Sequence, residues 1–198
     1  MPAHRKIVVY VATSADGYIG RPDGGVEWLE RPRPRGNYGM RAFLDSIDTI
    51  LMGRKTYDFG RRVGGDRVFD PKLRHYVFSR RPPDAPPPKG VAFVSESVGE
   101  FARRLRQEPG KDVWMMGGAE IIASFLDEGE IDRFLIHVIP VFIGEGIPLI
   151  APRHRLVRLS LRSARSFPDG VVRLDYDVPR AGGKGRRRGQ RPRAKRSV

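Results

Sequence analysis

Val113-Trp114-Met115-Met116-Gly117-Gly118-Ala119-Glu120-Ile121-Ile122 reads as a buried strand that runs straight into a Gly-Gly turn and then into a helix carrying Ile121, Ile122, Phe125 and Leu126. Two adjacent glycines let a ligand come close to the backbone, and the helix start that follows points unpaired N–H groups and a positive dipole at it. A phosphate suits such a junction. Close strand-helix packing without a ligand explains the dipeptide equally well when it is read alone, so its neighbours decide.

Before this junction, residues 7–13 form a continuous apolar, β-branched run, as expected of a central strand covered on both faces. It leads into a Gly-, Asp- and Pro-rich loop over residues 14–25, closed by Trp28, long enough to curl over a site at the strand's carboxyl end. Met40, Phe43, Leu44 and Ile47 recur at helical spacing and predict a helix over 37–47, followed by a short strand at 50–52. Gly53-Arg54-Lys55-Thr56-Tyr57 is then a second strand-to-glycine junction, rich in anion-binding groups; an ordinary basic helix start is the other reading of the pentapeptide alone. A strand over 75–79 ends in Ser79-Arg80-Arg81 and a proline-rich loop. A strand at 91–94 precedes a helix over 98–105 that Ser97 is placed to cap. After the opening junction come a strand at 134–139, with His137 read as a core or edge residue, and a Gly-punctuated apolar loop. The domain closes on an antiparallel hairpin, residues 155–167 and 171–178 around Pro168-Asp169-Gly170.

Strands alternating with helices predict an α/β fold: a central, mostly parallel sheet flanked by helices, with an antiparallel C-terminal hairpin. In such sheets ligands bind beyond the carboxyl ends of the strands. Four ends carry suitable chemistry, at residues 13–20, 53–57, 79–80 and 117–120, and together they suit one extended anionic ligand. A phosphorylated dinucleotide fits: Arg54, Lys55 and Arg80 for a ribose 2′-phosphate, Gly117 and Gly118 for the pyrophosphate, and the first loop over a nicotinamide, which favours NADPH.

The chain of 198 residues has room for one well-buried domain, 1–179, and no cysteine, which excludes disulfides and thiolate metal sites. Four scattered histidines make a metal site unexpected, and no segment reads as a signal peptide or membrane span, so a soluble cytoplasmic protein is expected. The net charge of +14 lies mostly in residues 180–198, which hold nine Lys or Arg and no acid; the remainder carries 28 basic and 23 acidic residues. That tail is expected to be disordered, with at most a weak, salt-dependent contact to nucleic acid, since no aromatic residue interrupts it to stack on a base.

Ser14-Ala15-Asp16-Gly17-Tyr18-Ile19-Gly20, the segment 50–57, Met116 to Glu120, and Gly144-Glu145-Gly146-Ile147-Pro148-Leu149 together resemble the dihydrofolate-reductase-like group. More narrowly, they are similar to the C-terminal reductase domain of bacterial riboflavin-biosynthesis proteins, as a stand-alone member, over residues 5–178. The resemblance implies an NADPH-dependent reductase with Gly53, Arg54, Thr56, Ser79, Arg80, Gly117, Gly118, Ala119 and Glu120 at the cofactor. Thr13, Ile19, Gly20, Lys55 and Ile121 complete that set, with Trp28 and Asn37 on the substrate side. Dihydrofolate reductases carry an acid on the first helix; the matching position, near Asn37-Tyr38, has no carboxylate, which speaks against pterin reduction. The riboflavin-type enzymes place an aspartate in a Ser-x-Asp-Gly pattern, matched here by Asp16 as polar anchor or proton donor; a plain turn residue before Gly17 is the other reading.

The expected reaction is hydride transfer from NADPH to a C=O or C=N carbon of a small polar heterocycle or opened ribosyl-imine, as in reduction of 5-amino-6-(5-phosphoribosylamino)uracil. Arg21, Arg31, Arg33 and Arg35 stand near the first loop as candidates for a substrate phosphate. With no deaminase domain ahead of the first strand, a relative recruited to another substrate is somewhat favoured. A homodimer is expected, using the C-terminal hairpin and residues 141–143. The alternatives are a pterin reductase and a non-catalytic nucleotide- or nucleic-acid-binding protein.

Overall fold

A strand with no polar face needs cover on both sides. In the computed structural model, which describes residues 5–180, strand β1 (Ile7–Ser14) has it: Ile7 and Val9 belong to one apolar cluster, Val8 and Tyr10 to another on the opposite face. The elements that follow are β2 (Tyr18–Gly20), α1 (Met40–Asp45), β3 (Ile47–Gly53), α2 (Arg54–Gly64), β4 (Arg74–Phe78), β5 (Val91–Val94) and α3 (Val98–Gln107). Then come β6 (Asp112–Gly117), α4 (Ala119–Asp127), β7 (Arg133–Ile139), β8 (Ile147–Pro148), β9 (Ser160–Ser166) and β10 (Val172–Asp177). Eight strands form one sheet in the order β5-β4-β3-β6-β1-β7-β10-β9. The first six are parallel, and β10 runs antiparallel to both β7 and β9. This is the expected α/β architecture.

Phe101, Leu105, Ile122 and Phe125 carry α3 and α4 onto one face, while Phe43 and Tyr57 carry α1 and α2 onto the other. Phe101 and Phe125 are fully buried, each worth roughly 2–3 kcal/mol of apolar transfer. Ser97 caps α3 as expected: its hydroxyl oxygen accepts from the Glu100 N–H and donates to the Glu100 carboxylate.

Three local expectations are corrected. The helix over 37–47 is only α1, preceded by a single 3-10 turn, because Gly36, Asn37, Tyr38 and Gly39 all have positive φ and cannot continue a right-handed helix. The Ser46 N–H and hydroxyl both close on the Phe43 carbonyl, so Ile47 opens β3 instead. In the hairpin, β9 begins at Ser160 and not at 155, because Arg155 is drawn to the Asp127 carboxylate and the Ala151 carbonyl. Finally, the two loops read as irregular pair with each other as β2 and β8, the Gly146 backbone lying so close to the Gly20 carbonyl that any Cβ there would clash.

Among the described residues, no helix is long and apolar enough to cross a membrane. The basic tail falls outside them except for Arg180, whose guanidinium reaches Asp132.

Candidate functional site

The four suspicious strand ends belong to β4, β3, β6 and β1, which are consecutive neighbours in the sheet and all parallel. Their carboxyl ends therefore form one continuous rim. At its centre, β3 and β6 pair Met52 with Gly117 across a register shift, and each strand runs directly into a helix. Gly53 precedes α2 and Gly118 precedes α4, and neither supplies a side-chain cap, so the first N–H groups of both helices are uncapped on the same rim.

The junction is drawn tight by glycines. Gly117 holds a φ of 114°, and the Gly117–Gly118 peptide is cis. A Cβ on Gly118 would lie 3.5 Å from the Thr56 hydroxyl, and one on Gly53 would lie 3.7 Å from Ile121. Gly53, Thr56, Gly117, Gly118 and Ile121 thus lie together in one cluster. Two helix dipoles and their uncapped N–H groups converging there make an anion-binding geometry. Ala119 lies just inside it, its carbonyl accepting from the Ala151 N–H.

The flanking residues divide. Lys55 and Arg80 are exposed and make no ion pair among the described residues. Ser79 turns on itself, donating to the Arg81 carbonyl and accepting from the Arg81 N–H. Arg54 is engaged instead: Nε bonds Asp58, Nη1 donates to the Pro82 carbonyl, Nη2 pairs with Asp84, and the guanidinium lies over Phe93. The Asp58 hydrogen bond, first, and the two carboxylate charges raise its pKa. Glu120 is 82 % exposed and pairs with Arg153.

The first loop is fastened down. Both Asp16 oxygens accept from the Ile143 N–H, and one also accepts from Gly144 at 2.8 Å. The Ala15 N–H donates to the Val141 carbonyl and the Leu149 N–H to the Gly17 carbonyl, on either side of the β2-β8 pair. The Ser14 hydroxyl, then the Gly144 and Ile143 N–H groups, hold the Asp16 carboxyl below its ordinary range, the form of an anchor more than of a proton donor. Thr13 and Gly20 are buried beneath the loop and Ile19 is half-buried.

On the other side of β1, sequence reasoning missed a polar cluster. His137 is 3 % exposed, with its ring 4.7 Å from Tyr10 and 5.7 Å from Tyr38. Burial, with Arg173 adding to it, pushes its pKa down to about 4, so it is neutral at pH 7. Arg173 lies opposite it in the β7-β10 pairing and donates to the Tyr38 carbonyl. The Tyr38 hydroxyl donates to Asp169, which Arg31 also grips. The carboxylate of this cluster thus comes from the hairpin turn and meets the Tyr38 hydroxyl. Asn37 itself, at a φ of 43°, is part of this cover. Trp28 is half-buried with its indole N–H unpartnered among the described residues. The available signal was the strand register that sets Arg173 beside His137. Among the described residues no His, Asp or Glu cluster is placed to hold a metal ion.

The family model described as the RibD C-terminal domain matches residues 5–173. The chain belongs to the RibD C-terminal domain family. Within that dihydrofolate-reductase-like family, it is 37 % identical over 172 residues to the Bacillus subtilis (strain 168) protein YwjB, covering 87 % of this chain and 97 % of that one. It is 34 % identical over 182 residues to YyaP of the same organism, covering 94 % of it. Neither relative is characterized. Among solved structures, a putative riboflavin biosynthesis protein from Shewanella sp. PV-4 superposes with a TM-score of 0.78 at 25 % identity, over 88 % of this chain and 99 % of that one. A Thermotoga maritima diaminohydroxyphosphoribosylaminopyrimidine deaminase/5-amino-6-(5-phosphoribosylamino)uracil reductase shares the fold, with a TM-score of 0.64 at 16 % identity over 89 % of this chain and 57 % of that one. RibD-type family membership and this fold indicate a reductase-type enzyme.

Proposed function

We propose that the protein is an NADPH-dependent reductase of the riboflavin-biosynthesis type, acting on a C=O or C=N carbon of a small polar heterocycle or ribosyl-imine. The observation that carries this reading is the junction of Gly53 and Gly118: two uncapped helix starts meeting at positions without side chains, beside exposed cations. Gly117, Gly118 and the first turns of α2 and α4 would hold the pyrophosphate, with Lys55 and Arg80 toward a 2′-phosphate. Bound there, NADPH supplies the hydride. The chain's own part is positional: Asp16 anchors the first loop to residues 143–144, and that fixed cover excludes water from the rim. The same reading makes the protein a homodimer acting on a small molecule, at home in the cytoplasm.

The test is direct titration with NADPH, followed through the fluorescence of Trp28 and Trp114, then consumption of the reduced nicotinamide on adding 5-amino-6-(5-phosphoribosylamino)uracil. Micromolar binding and turnover, or binding with turnover of a related heterocycle, agree with the proposal. Failure to bind NADPH, together with salt-sensitive RNA binding lost on deleting residues 181–198, would replace it with the nucleic-acid reading.

A further inference from the structure

Ala12 on β1, His137 on β7 and Arg173 on β10 lie in one row across the sheet: Ala12 pairs with His137, and His137 with Arg173. The contact of Tyr10 with both His137 and Phe43 puts the row on the face that carries α1. It lies at the carboxyl end of the parallel strands, and β1 also borders β6, so the row starts one strand away from the Gly117–Gly118 junction. Ala12 is partly exposed, in a strand whose first four residues are buried, and a methyl group is all its side chain adds to the row.

Two polar atoms in this row lack partners among the described residues, His137 Nε2 and Arg173 Nε. Buried groups left so cost about 1–3 kcal/mol each, and natural folds keep few of them. Several nearby arginines are matched with carboxylates, Arg31 with Asp169, Arg133 with Asp175 and Arg162 with Asp177, while Arg165, opposite Arg173 on β9, lies over the Phe167 ring. Arg173 makes no ion pair among the described residues, and the Tyr38 carbonyl occupies only Nη1. The edge that bears Nε is the fork with which a guanidinium takes a carboxylate or phosphate in bidentate fashion. His137, neutral beside it, adds a hydrogen bond without a second charge. The cover is built as well: the positive-φ run 36–39 carries Tyr38 over His137, and Asp169 and Arg31 pin it there.

We infer that Arg173 and His137 recognise an anionic oxygen group, a carboxylate or a phosphate, on the substrate that meets the cofactor at the junction. This rests on the reductase reading. It gives the substrate's charged end to a strand residue and not to the first-loop arginines, of which Arg21 is paired with Glu27 and Arg31 with Asp169.

The full chain, with and without saturating NADPH, is titrated calorimetrically with three probes: orotate, phenyl phosphate and uncharged uracil. At least one anion should bind about tenfold tighter than uracil, and whichever does so identifies the carboxylate or the phosphate. Arg173→Gln should abolish that preference and leave NADPH affinity within about twofold. Arg173→Lys, which keeps the charge and loses the fork, should lose part of it. Equal binding of all three probes, or a preference that survives Arg173→Gln, overturns the inference and leaves a buried water as the partner of these atoms. Should Arg173→Gln fail to fold, an undiminished anion preference in Arg173→Lys overturns it in the same way. Anion binding through Arg173 without NADPH binding sinks the cofactor reading alone; NADPH binding without anion preference sinks this inference alone.

Discussion

Arg54 shows what one residue's type does and does not reveal. A guanidinium directly after a strand-ending glycine is an anion ligand by type, yet here Asp58, Asp84 and the Pro82 carbonyl occupy its three nitrogens. Asp58 is four residues along the helix and readable as a partner; Asp84 reaches back from a proline-rich loop, a contact set by tertiary placement alone. If NADPH binds at this rim, its 2′-phosphate competes with Asp84, which is 89 % exposed. Asp84→Asn should then tighten NADPH about two- to threefold relative to NADH at low ionic strength, with the gain fading in high salt, as expected of a screened surface pair. Parallel titrations with the two cofactors measure it, and an unchanged ratio would place the phosphate away from Arg54. His137 shows the reverse case. Its apolar setting was legible and it is a core residue, but the Arg173 beside it was not. Its pKa, lowered from 6.5 to about 4, makes the unfolded chain bind a proton that the folded chain refuses as pH falls between those values. Stability present above pH 6.5 is therefore lost across that window, by at most roughly 3 kcal/mol. Of the groups facing the ring, Tyr10, Tyr38 and Arg173, only Arg173 is charged there. Urea midpoints from pH 7 to 4 should fall more steeply for the parent than for His137→Gln; parallel curves would mean that the imidazole titrates normally.

At the level of elements, the strand ends at the two glycine junctions were legible because apolar runs stop at Gly53 and Gly117; helical spacing begins at once after Gly118, whereas the start of α2 is a polar run for which a helix is only the alternative reading. Legibility failed where backbone conformation contradicts the side-chain pattern. Met40, Phe43, Leu44 and Ile47 keep helical spacing, but the left-handed run at 36–39 and the Ser46 closure confine the helix to six residues. The β2-β8 pair was hidden by its glycines and proline, which read as loop although they permit the close approach of Gly146 to Gly20. The junction itself allows packing and ligand approach to be separated. Gly53 has extended backbone, φ −82° and ψ 162°, and a Cβ there would meet Ile121 only at ordinary contact distances. If NADPH binds at this junction as proposed, Gly53→Ala should melt close to the parent while weakening NADPH by about tenfold, because the added methyl group would stand in the way of the cofactor backbone. A variant with parental affinity would mean that Gly53 serves strand-helix packing alone.

At the scale of the whole molecule, the sequence shows which strand ends carry chemistry but not that they are neighbours. Residues 13, 53, 79 and 117 are far apart along the chain, and their adjacency comes from the insertion of β6 between β3 and β1, a crossover that no local pattern encodes. The same ordering leaves β5 and β9 as the two edges of the sheet. β5 has four residues and offers little to pair with. β9 has seven, all exposed, with Leu161 at 59 % and Leu156 and Leu159 uncovered just before it. A seven-residue edge with open backbone groups and an exposed Leu161 can recruit another strand, and a second copy of the same edge is the simplest one to satisfy it. Of the residues 141–143, also considered for a subunit contact, Ile143 is buried and only Phe142 is well exposed, so the hairpin edge is the stronger candidate. Sedimentation velocity should find a dimer, and Leu156→Lys with Leu161→Lys should shift it to monomer without lowering the unfolding midpoint of the isolated subunit, since neither side chain is buried within it. A parent chain that sediments as a monomer, or a dimer indifferent to both lysines, would remove β9 as the interface.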